Sequence, residues 1–334
     1  MALKVGINGF GRIGRIAARI MLNDPDIELV ACNDFSNIEA AAHLLKYDSV
    51  HGKFNKEIEI DGTDLIVDGK RIKGLSSRDP LELNWKELGV DVVCECTGRF
   101  KTGEQAGQHI KAGASRVAIS APGKDVDATI VMGVNDNIFD PSKHFVVSNA
   151  SCTTNCLAPL AKVLVDEFGI EQGYMTTVHA YTNDQKILDL KHKDLRRARA
   201  AAMSIIPTTT GAARAVAEVI PELKGKLDGM AARVPTPDAS MVDLVVQLSK
   251  KTSTEELNAV IKAAAQGAMK GYIEFSEDPI VSCDIIGNPA SCIFDAPLTM
   301  VNESGSLAKL IAWYDNEYGY SMRLVDLVKL LGSK

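Results

Sequence analysis

The sequence predicts an α/β chain of two domains: an N-terminal domain built on a parallel sheet, and after residue 150 an α+β domain with a mixed or antiparallel sheet. Three observations carry this. A glycine-rich turn, Gly9-Phe10-Gly11-Arg12-Ile13-Gly14, lies between a short β-branched run and a helix-periodic one. From there to about residue 120, apolar strands alternate with helical segments, the pattern of βαβ units. Beyond Cys152, strands follow one another with fewer helices between them, as in a sheet covered on one face. The length of 334 residues also favours two domains over one.

The elements follow in order. Leu3 to Asn8 is a β-branched strand, and helical periodicity resumes from Arg15 to Leu22. In that context Gly9, Gly11 and Gly14 permit a tight turn, close approach of backbone to a pyrophosphate, and close helix–sheet packing. The amides of the helix start then bind phosphates. A second strand, Glu28 to Cys32, ends at Asn33-Asp34, with Asp34 twenty residues beyond Gly14. A carboxylate there accepts bonds from an adenosine ribose and repels a 2′-phosphate, which favours NAD over NADP. A glycine triplet alone is often only a turn. Strand, helix and Asp34 together make residues 1–150 a Rossmann-type, dinucleotide-binding domain.

Ile38 to Lys46 reads as a helix, and Ile58 to Ile66 as strand with a turn at Asp61-Gly62. Asp91 to Cys96 is an apolar strand ending at Thr97-Gly98, Thr102 to Ala112 a helix, and Arg116 to Ser120 another strand. Ligands of open α/β sheets sit outside the carboxyl ends of strands, so Thr97, Gly98 and Ser120 are candidates to face a cofactor. Each taken singly also reads as loop capping.

The strand His144 to Val147 leads into Ser148-Asn149-Ala150-Ser151-Cys152-Thr153-Thr154-Asn155-Cys156, and a helix-patterned run continues from Cys156 to Phe168. Ser151 has the character of an N-cap, which places Cys152 in the first helical turn. The amides and dipole there shift a thiol toward thiolate, the nucleophilic form. The bland reading is a small apolar cysteine at a helix start. Tyr174 to Thr182 is an alternating strand carrying His179, the best base among six histidines; His43, His51, His109, His144 and His192 read as surface helix or loop. Asn183 to Arg199 is charged and poorly periodic. Thr208-Thr209-Thr210-Gly211 reads as a turn opening the helix Ala212 to Val219, a helix start suited to phosphate. Strands Met230 to Val234 and Met241 to Leu248 follow, and Arg233, flanked by apolar residues, calls for an anionic partner. A helix over 254–269, a strand over 307–314 and a closing helix over 322–331 complete the chain.

Composition narrows the class. The net charge of −6 weighs against a general nucleic-acid role, and no apolar run approaches the roughly 20 residues that span a bilayer. The seven cysteines are scattered without metal-knuckle spacing; Cys94 and Cys96 lack a histidine pair, so no metal is expected. Met1-Ala2-Leu3-Lys4 enters a strand with no secretory pattern, and a cytoplasmic protein is expected. A cysteine nucleophile, a dinucleotide site and anion sites together specify a reaction. Thiolate adds to an aldehyde, the adduct loses hydride to a nicotinamide, and the thioester passes to water or phosphate.

The runs Gly6 to Arg15, Ala150 to Asn155 and Trp313 to Ser321 closely resemble phosphorylating glyceraldehyde-3-phosphate dehydrogenases, over essentially the whole chain. The resemblance implies NAD-dependent oxidation of glyceraldehyde 3-phosphate with inorganic phosphate, in the glycolytic direction. It makes Cys152 the nucleophile and His179 the acid/base. Arg233 and Thr182 would hold the substrate phosphate, with Asp184 nearby. Ser151, Thr153, Thr210 and Gly211 would bind inorganic phosphate, with Arg197 serving the anion sites. Arg12, Ile13, Asp34, Arg78, Thr97 and Ser120 match family cofactor positions, Asn316 would fix the nicotinamide amide, and Tyr320 would lie near that ring. The C-terminal helix, 317–334, would complete the NAD-binding domain, leaving 151–316 as the catalytic domain. The charged 183–199 segment resembles a loop reaching a neighbouring subunit in a homotetramer.

One residue departs from the pattern: Lys191 stands where many NAD-specific members carry proline, which tempers strict NAD specificity. The competing readings are an erythrose-4-phosphate dehydrogenase, a gluconeogenic NADP-tolerant relative, and a catalytically silent dinucleotide-binding or adhesive protein.

Overall fold

The computed structural model describes residues 2–34 and 37–333, and the chain divides into two compact units. The first comprises Met1–Ile130, Asp136–Ala150 and Ser321–Lys334; the second comprises Val131–Asn135 and Ser151–Tyr320.

In the first unit the apolar runs form a nine-stranded sheet. Its order is Ala128–Thr129, Val146–Ser148, Arg116–Ile119, Val92–Glu95, Leu3–Asn8, Ile27–Asn33, Lys70–Leu75, Asp64–Val67 and Ile58–Asp61. Pairings are parallel up to Lys70–Leu75, and the last two strands join it as antiparallel hairpins. Val5, Ile7, Val92, Val93, Val117 and Ile119 are all buried, which is why these strands read as apolar runs and do not alternate. The order steps outward from Leu3–Asn8 in both directions, so the carboxyl end of that strand is a topological switch point.

Some boundaries differ from the periodicity. The first helix is Arg12–Met21, capped by Gly11. The helix expected over 102–112 is two short turns, Gly103–Ala106 and Gln108–Lys111, parted at Gly107. Strand Lys70–Leu75 gives no sequence signal because Lys70, Arg71 and Lys73 surround its buried Ile72. The closing helix is Tyr318–Gly332. Within the first unit, Arg116 Nη1 donates to the Leu331 carbonyl at 3.0 Å, and Lys329 pairs with Asp24 at 2.7 Å.

The second unit has a mixed sheet of eight strands. Its path is Ile206–Thr209, Leu227–Val234, Ile170–Ala180, Ser240–Leu248, Leu307–Tyr314, Cys292–Asp295 and Ile273–Ser276, with Met300–Val301 beside Leu307–Tyr314. Ser240–Leu248 alternates buried and half-buried residues throughout, the mark of one covered face. Helix Cys152–Phe168 packs on this sheet beside helices Ala212–Val219 and Thr254–Gln266. The strand expected over 174–182 runs from Ile170 to Ala180, so Thr182 lies beyond its end. Thr208 and Thr209 end a strand, which leaves only Thr210-Gly211 as the turn. Among the described residues no helix is long and apolar enough to cross a membrane.

Candidate active site

The first unit carries a cleft at its switch point. Gly9 has φ +97°, and a Cβ there would stand 2.6 Å from the Thr97 amide nitrogen. A Cβ on Gly14 would meet the Gly9 carbonyl oxygen at 2.1 Å. Both approaches are closer than atoms tolerate, so only glycine lets turn, strand and helix pack this way. Gly11 faces open space. Around the turn lies a cleft of about 390 Å³ whose lining includes Gly9, Gly11, Arg15, Asn33, Asp34 and Thr97. Asp34 follows strand Ile27–Asn33, Thr97 follows Val92–Glu95, and Ser120 follows Arg116–Ile119, so all three stand past the carboxyl ends of parallel strands. Open space before a helix start, two obligate glycines and an acidic residue at the next strand end fit a dinucleotide.

Arg12 forms a bidentate pair with Asp48, both bonds at 3.1 Å. Burial pushes Asp48 up, but the His51 amide, Arg12 and the Val50 amide outweigh it and hold the carboxyl well below the usual range. Ile13 is half-buried in the same helix, and Arg78 is exposed on the loop after Lys70–Leu75. Asn316 and Tyr320 are buried in the second unit, where Asn316 Oδ1 accepts from Ser240 Oγ at 2.6 Å.

The second unit holds the cysteine. Ser151 caps its helix, its hydroxyl accepting the Thr154 amide at 3.0 Å, so Cys152 is the first helical residue. His179 lies next to the end of its strand, and the parallel register sets it opposite Arg233. Cys152 Sγ is 3.4 Å from His179 Nε2. Nδ1 is 2.7 Å from the Ala180 carbonyl, a contact that assigns the ring proton to Nδ1 and leaves the Nε2 lone pair toward sulfur. Arg233 Nη1 donates to the same carbonyl at 3.1 Å and lies 3.0 Å from Nδ1.

Electrostatics correct one expectation. Burial pushes the Cys152 thiol up from its ordinary 9.0, against the pull of Arg233 and of the Thr153 and Cys152 amides. The helix start does pull toward thiolate, and desolvation outweighs it. Burial, then the Arg233 charge, pushes His179 down to about 3, so the ring is neutral at physiological pH. Each ion alone is penalised. Formed together by proton transfer from Sγ to Nε2, the two ions attract one another across their 3.4 Å contact.

Tyr314 supports this arrangement; in the sequence it ends the strand over 307–314 and falls within the run Trp313 to Ser321, with no role assigned to it. Its hydroxyl joins Thr153 Oγ1 and Thr177 Oγ1, each at 2.8 Å, and its ring meets His179 edge-on with centroids 5.9 Å apart. Thr182 is held by Gln185, whose Oε1 accepts its amide at 2.9 Å and its hydroxyl at 3.3 Å. Asp184 takes Arg197 Nη1 at 2.7 Å and His192 at 3.2 Å. Arg197 also reaches Thr208 Oγ1 at 2.9 Å and the Thr209 carbonyl at 3.2 Å. Thr210 Oγ1 accepts the Ala212 amide at 3.2 Å, and Gly211 precedes the helix. Arg197 is thus brought beside Thr210-Gly211, while Arg233 stays with His179. The Nε of Arg233 and the Nε2 of Gln185 are buried without a hydrogen-bond partner among the described residues. His109, expected on a surface helix, is instead completely buried against Trp85 and Glu95.

Comparison with known proteins agrees with this geometry. Residues 3–103 match the family model described as "Glyceraldehyde 3-phosphate dehydrogenase, NAD binding domain", and residues 151–316 match the corresponding "C-terminal domain". The chain is 60% identical to a glyceraldehyde-3-phosphate dehydrogenase of Geobacillus stearothermophilus, over all of this chain and 99% of that one. It is 58% identical to glyceraldehyde-3-phosphate dehydrogenase 1 of Bacillus subtilis, with the same coverage, and 58% identical to the Streptomyces coelicolor protein over both full lengths.

Proposed function

The chain belongs to the glyceraldehyde-3-phosphate dehydrogenase family, and from that premise we propose a role for each residue of its two sites. The reaction is the NAD-dependent oxidation of glyceraldehyde 3-phosphate with inorganic phosphate to 1,3-bisphosphoglycerate. Cys152 Sγ bonds to the aldehyde carbon while its proton passes to His179 Nε2. His179 returns that proton to the carbonyl oxygen, giving a thiohemiacetal, with the Cys152 amide and the imidazole stabilising the oxyanion on the way. NAD, when bound, would supply the hydride acceptor for this oxidation. As the hydride leaves, His179 takes the hydroxyl proton back and a thioester forms on Cys152. A phosphate oxygen then bonds to the acyl carbon, the C–S bond breaks, and the released thiolate takes back the proton held by His179, restoring the neutral pair.

Arg233 and Thr182 hold the C3 phosphate, with Asp184 nearby; the unmet Nε of Arg233 supports this. Inorganic phosphate binds at Ser151, Thr153, Thr210 and Gly211, served by Arg197. Gly9, Gly11, Gly14, Arg12, Ile13, Asp34, Arg78, Thr97 and Ser120 take the cofactor, and Asn316 and Tyr320 serve its nicotinamide. The first unit is thus the dinucleotide domain and the second the catalytic one. The proposed assembly is a homotetramer, and the proposed compartment the cytoplasm, which seven free cysteines support.

The contact of Cys152 Sγ with His179 Nε2 at a helix start, backed by Arg233, carries this reading. The test is NADH formation from glyceraldehyde 3-phosphate with and without phosphate, repeated with Cys152→Ser and with NADP. Phosphate-dependent turnover with NAD that vanishes in Cys152→Ser while NAD still binds is the expected result. Turnover that ignores phosphate would move the acyl acceptor to water, and substantial activity in Cys152→Ser would remove the cysteine from the mechanism.

A further inference from the structure

Two residues lining the cleft, Asn33 and Thr97, are ends of a buried hydrogen-bond chain that the reaction does not use. Asn8, Asn33, Glu95, His109 and Trp85 are each no more than 2% exposed. The Glu95 carboxylate receives four donors. Asn8 Nδ2 at 2.6 Å and His109 Nε2 at 3.1 Å meet Oε2; the Thr97 amide at 2.8 Å and the Thr97 hydroxyl meet Oε1. Trp85 Nε1 donates to His109 Nδ1 at 3.0 Å. An indole nitrogen only donates, so Nδ1 is bare and the ring proton sits on Nε2, aimed at Glu95. On the other side Asn8 Oδ1 accepts Asn33 Nδ2 at 2.7 Å, and Asn33 Oδ1 accepts the Ser77 amide at 2.9 Å.

Such a chain costs desolvation that packed apolar side chains would avoid, so stability alone does not explain it. What it fixes is Thr97. Glu95 takes both its amide and its hydroxyl, and the Thr97 oxygen in turn accepts the Arg99 amide at 3.1 Å. The Thr97 backbone is the wall against which Gly9 closes. Asn8, the residue before Gly9, is held from both sides by Glu95 and Asn33.

We propose that Trp85, His109 and Glu95 are positioning residues for the dinucleotide: they fix Thr97 and Asn8, and through them the glycine turn, and so set NAD affinity without touching hydride transfer. This rests on the reading of the cleft as the NAD site. The test uses the full chain with Glu95→Gln, whose amide cannot accept all four donors, and Trp85→Phe, which removes the N–H that meets His109 and leaves part of the buried indole's volume empty. NAD Kd is measured by calorimetry, alongside kcat at saturating NAD and the alkylation rate of Cys152. Kd is expected to rise about tenfold in Glu95→Gln and a few-fold in Trp85→Phe, with kcat and alkylation within about twofold of the parent. Asp64→Asn, which breaks ion pairs with Arg71 and Lys73 in the hairpin of the same unit, is the stability control and should lower Tm at unchanged Kd. Parental Kd in both Glu95→Gln and Trp85→Phe, or an equal rise in Asp64→Asn, overturns the proposal. Failure of the unmodified chain to bind NAD would instead bring down the cleft reading and this inference with it.

Discussion

Cys152 and His179 are each poor ions in isolation, one pushed up by burial and the other pushed down to about 3. Their 3.4 Å contact is therefore what makes either useful. In His179→Asn the thiolate must form against desolvation without the imidazole to take its proton. Its alkylation by iodoacetamide should slow near neutral pH and climb only as pH passes the ordinary thiol value of 9.0. NADH formation should fall by about 10²–10⁴-fold, the usual worth of a positioned base. A pH profile of alkylation identical to the parent's would separate the two residues. Tyr314→Phe probes the support behind them. It leaves Thr153 and Thr177 without the hydroxyl they share and keeps the ring edge against His179. Stability in chemical denaturation should drop by about 1–3 kcal/mol, with alkylation of Cys152 little changed.

At the scale of elements, strand Leu3–Asn8, its turn and helix Arg12–Met21 form one device, and Gly9 is its tightest point. In Gly9→Ala the new methyl would meet the Thr97 nitrogen at 2.6 Å and the Cys96 carbonyl carbon at 2.8 Å, backbone atoms that cannot swing aside. Positive φ adds its own cost of about 1–2 kcal/mol. Thermal unfolding should shift down and calorimetric NAD binding should be lost; retained NAD affinity would show that the cofactor does not need this turn. Such devices were legible because glycine spacing, capping and apolar runs are local signals. Gly9, Gly14, Asp34 and Ser151 could each be read from their neighbours. Strand Lys70–Leu75 could not, since three cations mask its buried Ile72. His109 could not either: its burial depends on Trp85 and Glu95, 24 and 14 residues away in sequence. Tyr314 reaches Thr153 across 161 residues, a pairing that no local window contains.

For the whole molecule, the segment after Thr182 poses a problem that one chain does not solve. Ile187, Leu195 and Met203 are 86%, 81% and 84% exposed, and Leu188, Leu190 and Ile205 are exposed beside them. Asp184 pairs with Arg197, Asp189 with Arg199, and Asp194 accepts from Thr208, while Lys191, Lys193, Arg196 and Arg199 also stand exposed. The loop thus presents a group of large apolar side chains to water beside its exposed charges. The sequence shows that this segment is charged and poorly periodic but not which of its apolar residues turn outward, because that depends on the course of the folded loop. A face of this kind is expected to be covered by another copy of the chain, and sedimentation should give four times 35.9 kDa. Ile187→Asp with Leu195→Asp would place two carboxylates where apolar surface is to be buried, and the mass should fall toward smaller species. A parent sedimenting as a single chain would remove the tetramer. A double variant that keeps the parental mass would leave the assembly standing and move its interface to another face.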